Sequence, residues 1–173
     1  MNATDRTNEP DETRLAAWRA LLNAQAAAVG AIERDLAAAG HIPLLWYDVL
    51  VALSEAPDER LRMHELAERV VLSRSGLTRL VDRLEGAGLL CRAACPGDRR
   101  GAFAVLTAAG RAALARTWPA YARGIDEHFA RYLTLEAATA VATALAPVSV
   151  AKESAARADA AASDRDGCNA HQP

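Results

Sequence analysis

Six residues along one stretch of this chain carry side chains suited to reading a nucleic acid. Ser73, Arg74, Ser75, Thr78, Arg79 and Arg83 offer hydroxyls and guanidiniums, with Asp82 as the one acid among them. A guanidinium can fork onto a phosphate or onto the edge of guanine, and a hydroxyl bonds to either. Leu77, Leu80, Val81 and Leu84 recur between them at i, i+3, i+4 and i+7, so a helix here turns four apolar side chains inward and the polar set outward. From Arg69 to Arg100 seven arginines stand against the three acids Asp82, Glu85 and Asp98, a local +4 in a chain of net charge −2. A positive field confined to one module fits a DNA-facing surface on an otherwise acidic protein.

A second basic feature follows. The run CPGDRRG sets Pro96 and Gly97 in a turn and Arg99 and Arg100 just beyond it. Residues 89–94 and 102–106 flank it as short strands, giving a two-stranded ribbon whose arginines can enter a minor groove or follow the backbone. The stretch Leu61–Thr107 thus reads as a helix-turn-helix followed by a β-wing.

Other chemistries find less support. There is no glycine-rich phosphate loop, no nucleophile elbow and no paired acidic motif, so an enzyme is not expected. Cys91, Cys95 and Cys168 form no disulfide framework, and four residues of strand rise put Cys91 and Cys95 about 13 Å apart, too far to bridge. His41, His64 and His128 show no CxxC or HxxxH spacing, so neither a metal site nor a cofactor is expected.

The flanking elements must position this module. Residues 1–12 lack periodicity and read as a disordered arm. A long helix follows to about Ala39, with Thr13 as N-cap and Gly40 as its stop. Its stripe of Leu15, Trp18, Leu22, Ala26, Val29, Ile32 and Leu36 is longer than one small domain needs, which points to a partner subunit. Pro43 starts a second helix, apolar nearly all round, that ends before Pro57 and should be buried. Pro57–Leu61 reads as a connector and Met63–Val70 as the first helix of the motif, with Ser73 capping the second. Thr107 caps a long helix to about Trp118, which Pro119 interrupts before Tyr121–Tyr132. Thr134 caps a last helix to about Leu145, and residues 147–173 are small and polar, hence expected to be disordered. No uncharged apolar run is long enough to span a bilayer and the N-terminus lacks a signal-peptide pattern, so a cytoplasmic location is expected.

Taken together, the chain resembles the MarR family of bacterial transcriptional regulators. The resemblance rests on LLWYDVLVALSEAP (Leu44–Pro57), ELAERVVLSRSGLTRLVDRLEGAGLL (Glu65–Leu90) and the wing GDRRGAFAVLTAAG (Gly97–Gly110) with its Asp-x-Arg. It covers most of residues 13–146: a winged helix-turn-helix lobe over 44–107, with dimerisation helices in 13–40 and 108–146. The fold it implies is mainly α with a small β-wing. The function it implies is that of a homodimeric repressor on a palindromic double-stranded operator, with one recognition helix per half-site. Ser73, Arg74, Ser75, Thr78 and Arg79 would face the major groove, Arg83 the backbone, and Arg99 and Arg100 the minor groove, with Asp98 orienting Arg100.

The resemblance also implies a small-molecule effector, often an aromatic or phenolic anion, held where the dimer helices meet the DNA-binding lobe. Trp18, His41, Trp46, Tyr47, Asp48 and Arg92 are the residues for it here. Trp18 and Asp48 resemble two positions of a urate-recognising branch, although packing of the tryptophans and an ion pair at Asp48 explain the same residues. The alternatives are a winged-helix adaptor for a partner protein and a redox-responsive regulator of the same fold. Redox-sensing relatives keep their cysteine near the N-terminus, where this chain has none.

Overall fold

The computed structural model describes residues 9–70, 72–95 and 98–148. Its order is α1 (Glu12–Ala38), α2 (Leu44–Ser54), β1 (Arg60–Arg62), α3 (Met63–Arg69), α4 (Arg74–Gly86), β2 (Leu90–Cys95), β3 (Asp98–Leu106) and α5 (Ala108–His128), followed by α6 (Leu135–Val148). The mainly helical fold with a small antiparallel sheet matches the expectation from sequence.

Local signals set most boundaries. Ser73 Oγ accepts from Gly76 N at 3.2 Å and opens α4, while Thr107 Oγ1 accepts from Gly110 N at 3.1 Å and opens α5. Thr134 Oγ1 accepts from Ala137 N at 3.1 Å and does the same for α6. At the end of α4 the chain reverses through Gly88 at φ +71°, a left-handed conformation that costs only glycine nothing. For α1 the cap is Asp11 rather than Thr13, since its carboxylate accepts from Arg14 N at 2.8 Å. A carboxylate also suits the positive end of a helix better than a hydroxyl.

Four other expectations change. The sheet has three strands in the order β1-β3-β2, because the connector before α3 supplies β1, pairing Leu61 with Ala104. In Arg60–Leu61–Arg62 only Leu61 is buried, and three residues are too few to show alternation. Strand β3 also begins earlier than residue 102, at Asp98, through a bulge between Ala94 and Cys95. Pro119 does not break α5, which runs through it for 21 residues. Proline removes the bond its N–H would have made to the Ala115 carbonyl, and packing on both sides of it keeps the helix continuous. Finally, α6 extends past Pro147 to Val148.

The main core joins α2, α3, α4 and the sheet through Val49, Leu50, Leu53, Leu66, Leu84 and Leu90. A smaller cluster of Ile32, Leu36, Leu44 and Tyr47 ties α1 to α2 and to Tyr121 and Ile125 of α5. By length and composition alone α1 is long and apolar enough to cross a membrane, but Arg19 and Glu33 leave it no uncharged run of that length, in line with the sequence. Alanine supplies that hydropathy, and Asn23 and Gln25 interrupt the apolar run. In the C-terminal half of α1 one face, Ala28, Ile32 and Leu36, is buried, whereas Trp18, Leu21 and Leu22 stay exposed. The face of α6 is likewise uncovered, with Leu135 86% exposed.

Candidate nucleic-acid interface and the groove behind it

Helix α4 divides as its periodicity requires. Leu77, Leu80, Val81 and Leu84 are each 3% exposed or less. Each contributes about 1.5–3 kcal/mol by leaving water, which fixes the helix's rotation. Ser73, Ser75, Thr78, Arg79 and Arg83 are therefore turned to solvent together. Arg83 Nε lies 3.4 Å from the Arg79 carbonyl, and neither guanidinium is paired with an acid among the described residues. The side chains of Arg74, Asp98, Arg99 and Arg100, and the Pro96–Gly97 turn, lie outside the described residues. So do the side chain of Cys95 and all of Cys168. Cys91 is exposed, with a free thiol.

Arg92 has a different place from the one expected. It stands on β2 against the end of α4, where its guanidinium meets Asp82 at 2.5 Å and is also bonded to Glu85. Its backbone N donates to Glu85 Oε1 at 2.9 Å. Partial burial opposes its charge, but the hydrogen bonds to Asp82 and Glu85 outweigh that and hold its pKa above the ordinary arginine value. Arg92 clamps β2 to the end of α4 and pairs with both acids there, offsetting one of their two charges. The local positive charge is thereby left to the remaining arginines.

Two further arginines were invisible to a reading of motifs. Arg60 and Arg62 of β1 flank the Phe103 ring, at 5.2 and 5.7 Å from its centroid, on the exposed side of the sheet. Only the pairing of β1 with β3 brings them there, so no local spacing could reveal them.

Between them, α2 and α5 enclose an open groove of about 600 Å³. Tyr47, Asp48 and Glu55 line it from α2 and its end, and Trp118 and Tyr121 from α5. The Tyr47 and Tyr121 rings meet edge-on at 5.0 Å, and Trp118 and Tyr121 at 6.2 Å. Of the six effector residues named from sequence, the groove gathers Tyr47 and Asp48. Trp18 lies exposed on α1, Trp46 packs against the main core, His41 sits in the turn before α2, and Arg92 is in its clamp.

Asp48 reaches solvent and has no ion pair with an arginine among the described residues. Its surroundings still withdraw enough water to raise its pKa, and Glu33 of α1 raises it further. Burial also raises the pKa values of Tyr47 and Tyr121, with the Asp48 charge adding to both.

A third grouping joins α1 to α5. His128 Nε2 lies 2.6 Å from Asp35 Oδ2, and the ligand atoms of Asp35, Glu127 and His128 fall within 4.8 Å of one another. Sequence spacing missed this cluster because its members come from helices distant in the chain.

Comparison with known proteins points one way. Residues 42–101 match the model of the MarR family. Over 81 residues the chain is 36% identical to the HTH-type transcriptional regulator MhqR of Bacillus subtilis (strain 168), covering 47% of this chain and about half, 54%, of that relative. Among solved structures it is similar to AbsC, a MarR family transcriptional regulator from Streptomyces coelicolor, with a TM-score of 0.74 and 33% identity over 86% of this chain and 99% of that one. It is also similar to Sco3205 from the same organism, solved in complex with DNA, with a TM-score of 0.75 and 32% identity over 84% and 91% of the two chains.

Proposed function

The chain belongs to the MarR family of transcriptional regulators, and from that premise we propose that it is a homodimeric, effector-released repressor that reads a palindromic operator in the cytoplasm. The observation that carries this is the α4 surface. Four buried apolar residues fix the helix so that Ser73, Ser75, Thr78, Arg79 and Arg83 face outward together. Arg74 belongs to the same set by its position in the helix, and Asp98, Arg99 and Arg100 supply the wing contacts. The similar Sco3205, solved with DNA, supports this reading. No enzymatic activity is proposed.

The partner is a second copy of the chain, because the exposed Trp18, Leu21 and Leu22 of α1 and the uncovered Leu135, Val141 and Val148 of α6 leave apolar surface at both ends of the helical region. The α2–α5 groove holds the effector. Located between the α1–α5 region and the winged helix, it lets a bound molecule favour one relative setting of the two, which is what release of DNA requires.

The test is binding to the DNA immediately upstream of the chain's own coding region at physiological salt. Wild-type protein should bind it where random DNA fails and protect two half-sites. Arg79→Ala should weaken binding at least tenfold and, if Arg79 contacts a phosphate, flatten the salt dependence by about one unit of slope. Wild-type binding with no dependence on Arg79 would sink the assignment of α4 as the recognition helix.

A further inference from the structure

We propose that the α2–α5 groove takes an aromatic cation, a flat organic body bearing a protonated or quaternary nitrogen, in place of the aromatic anion that the family resemblance implies. The proposal rests on the reading of this groove as the effector site. Two carboxylates, Asp48 and Glu55, line it, and among the described residues no lysine, arginine or histidine does. They stand seven residues apart, about 10 Å along the helix axis, with three aromatic rings between and opposite them. Tyr47, Trp118 and Tyr121 line the groove with aromatic rings, and it is the negative face of such a ring that attracts a cation.

Helix α2 ends at Ser54 with no basic residue of its own in its last turn, so the negative end of its dipole lies at the Glu55 end of the groove. Arg69 Nη1 partly offsets it by donating to the Ala52 carbonyl at 3.4 Å. Glu33 adds to the negative field around Asp48 and already raises that group's pKa. An anion entering here would meet only like charge among the described side chains that line the groove. A cation would relieve it. The volume, about 600 Å³, is in the range that takes a ligand of two or three rings.

The experiment is calorimetric titration of the full-length protein with two flat probes of similar size at one ionic strength. N-methylquinolinium is the cation and quinoline-2-carboxylate the anion. The cation should bind at least tenfold more tightly. The double variant D48N/E55Q should lose about tenfold in cation affinity and most of the preference, because two charges within reach of the ligand are removed. Trp118→Ala should weaken both probes. Preference for the anion, with sensitivity to Trp118→Ala, overturns the charge class while leaving the groove as an effector site. Binding of neither probe, or binding indifferent to Trp118→Ala, removes the groove as the effector site and the proposal with it.

Discussion

At Gly110 the start of α5 lies tightly against the winged-helix lobe, and replacing it with alanine tests that joint. A Cβ at this position would penetrate the Leu89 carbonyl oxygen and lie 2.7 Å from Leu106 Cδ1. Carbon atoms pack best at about 3.5–4.0 Å, so the start of α5 must retreat by about 1 Å from the lobe. That movement strains the Thr107 N–H bond to the Leu89 carbonyl, 3.3 Å long in the native fold. Overpacking costs about 1–3 kcal/mol and a weakened hydrogen bond about 1 more, while the better helix propensity of alanine returns up to about 1. The net expectation is a loss of about 1–3 kcal/mol. In urea at fixed protein concentration this lowers the midpoint by about 1–2 M. Gly86→Ala is the control, since nothing lies within 4 Å of its added Cβ, and it should be neutral or slightly stabilising. A Gly110→Ala protein as stable as wild type, with unchanged unfolding slope, would refute the tight joint.

Two further perturbations address charge. Arg92→Ala leaves Asp82 and Glu85 unpaired beside the DNA-facing surface. It should cost about 1–2 kcal/mol of stability, discounted for solvent exposure, yet weaken operator binding more than tenfold, with Asp82→Asn restoring part of that in an anisotropy titration. Asp48→Asn should stabilise the protein at pH 7. A carboxyl whose folded pKa is raised above its ordinary 3.8 binds more protons folded than unfolded in that window, so stability falls as pH rises through it. The groups facing it are Glu33 from α1, Tyr47 beside it and Tyr121 from α5. The gain should close as pH falls below the window, and a pH-independent difference in thermal midpoint would count against the repulsion.

What could be read from sequence was whatever is encoded within a few residues. The caps at Ser73 and Thr107 and the two faces of α4 depend only on neighbours in the chain, so spacing alone exposed them. Strand β1 is too short to carry a pattern and exists because β3 is there to pair with it. Pro119 was read as an interruption because its intrinsic effect is local, whereas the packing that keeps α5 whole comes from α1 and α2. The groove was half legible. Tyr47 and Asp48 stood out on an apolar helix, but Trp118 and Tyr121 reach them from the other end of the domain. Arg92 was misplaced because its acids lie 7 and 10 residues back, across a turn whose geometry the sequence does not state. The Asp35–His128 contact joins residues 93 apart.

Pro119 gives α5 a mechanical character. Eleven residues separate Ala108 from Pro119, a rigid arm of about 16 Å at the usual helical rise. One end of the arm presses Gly110 against the winged helix, and the other leads to the contacts with α1. Pro119 leaves that end of the arm one backbone hydrogen bond fewer with which to resist bending. A bend of about 10° there swings the far end by about 3 Å, and parts of the winged helix beyond it by more. Small angular changes beside the groove are thus geared up into displacements comparable to the spacing of successive phosphates along the helix axis of B-DNA, about 3.4 Å per strand.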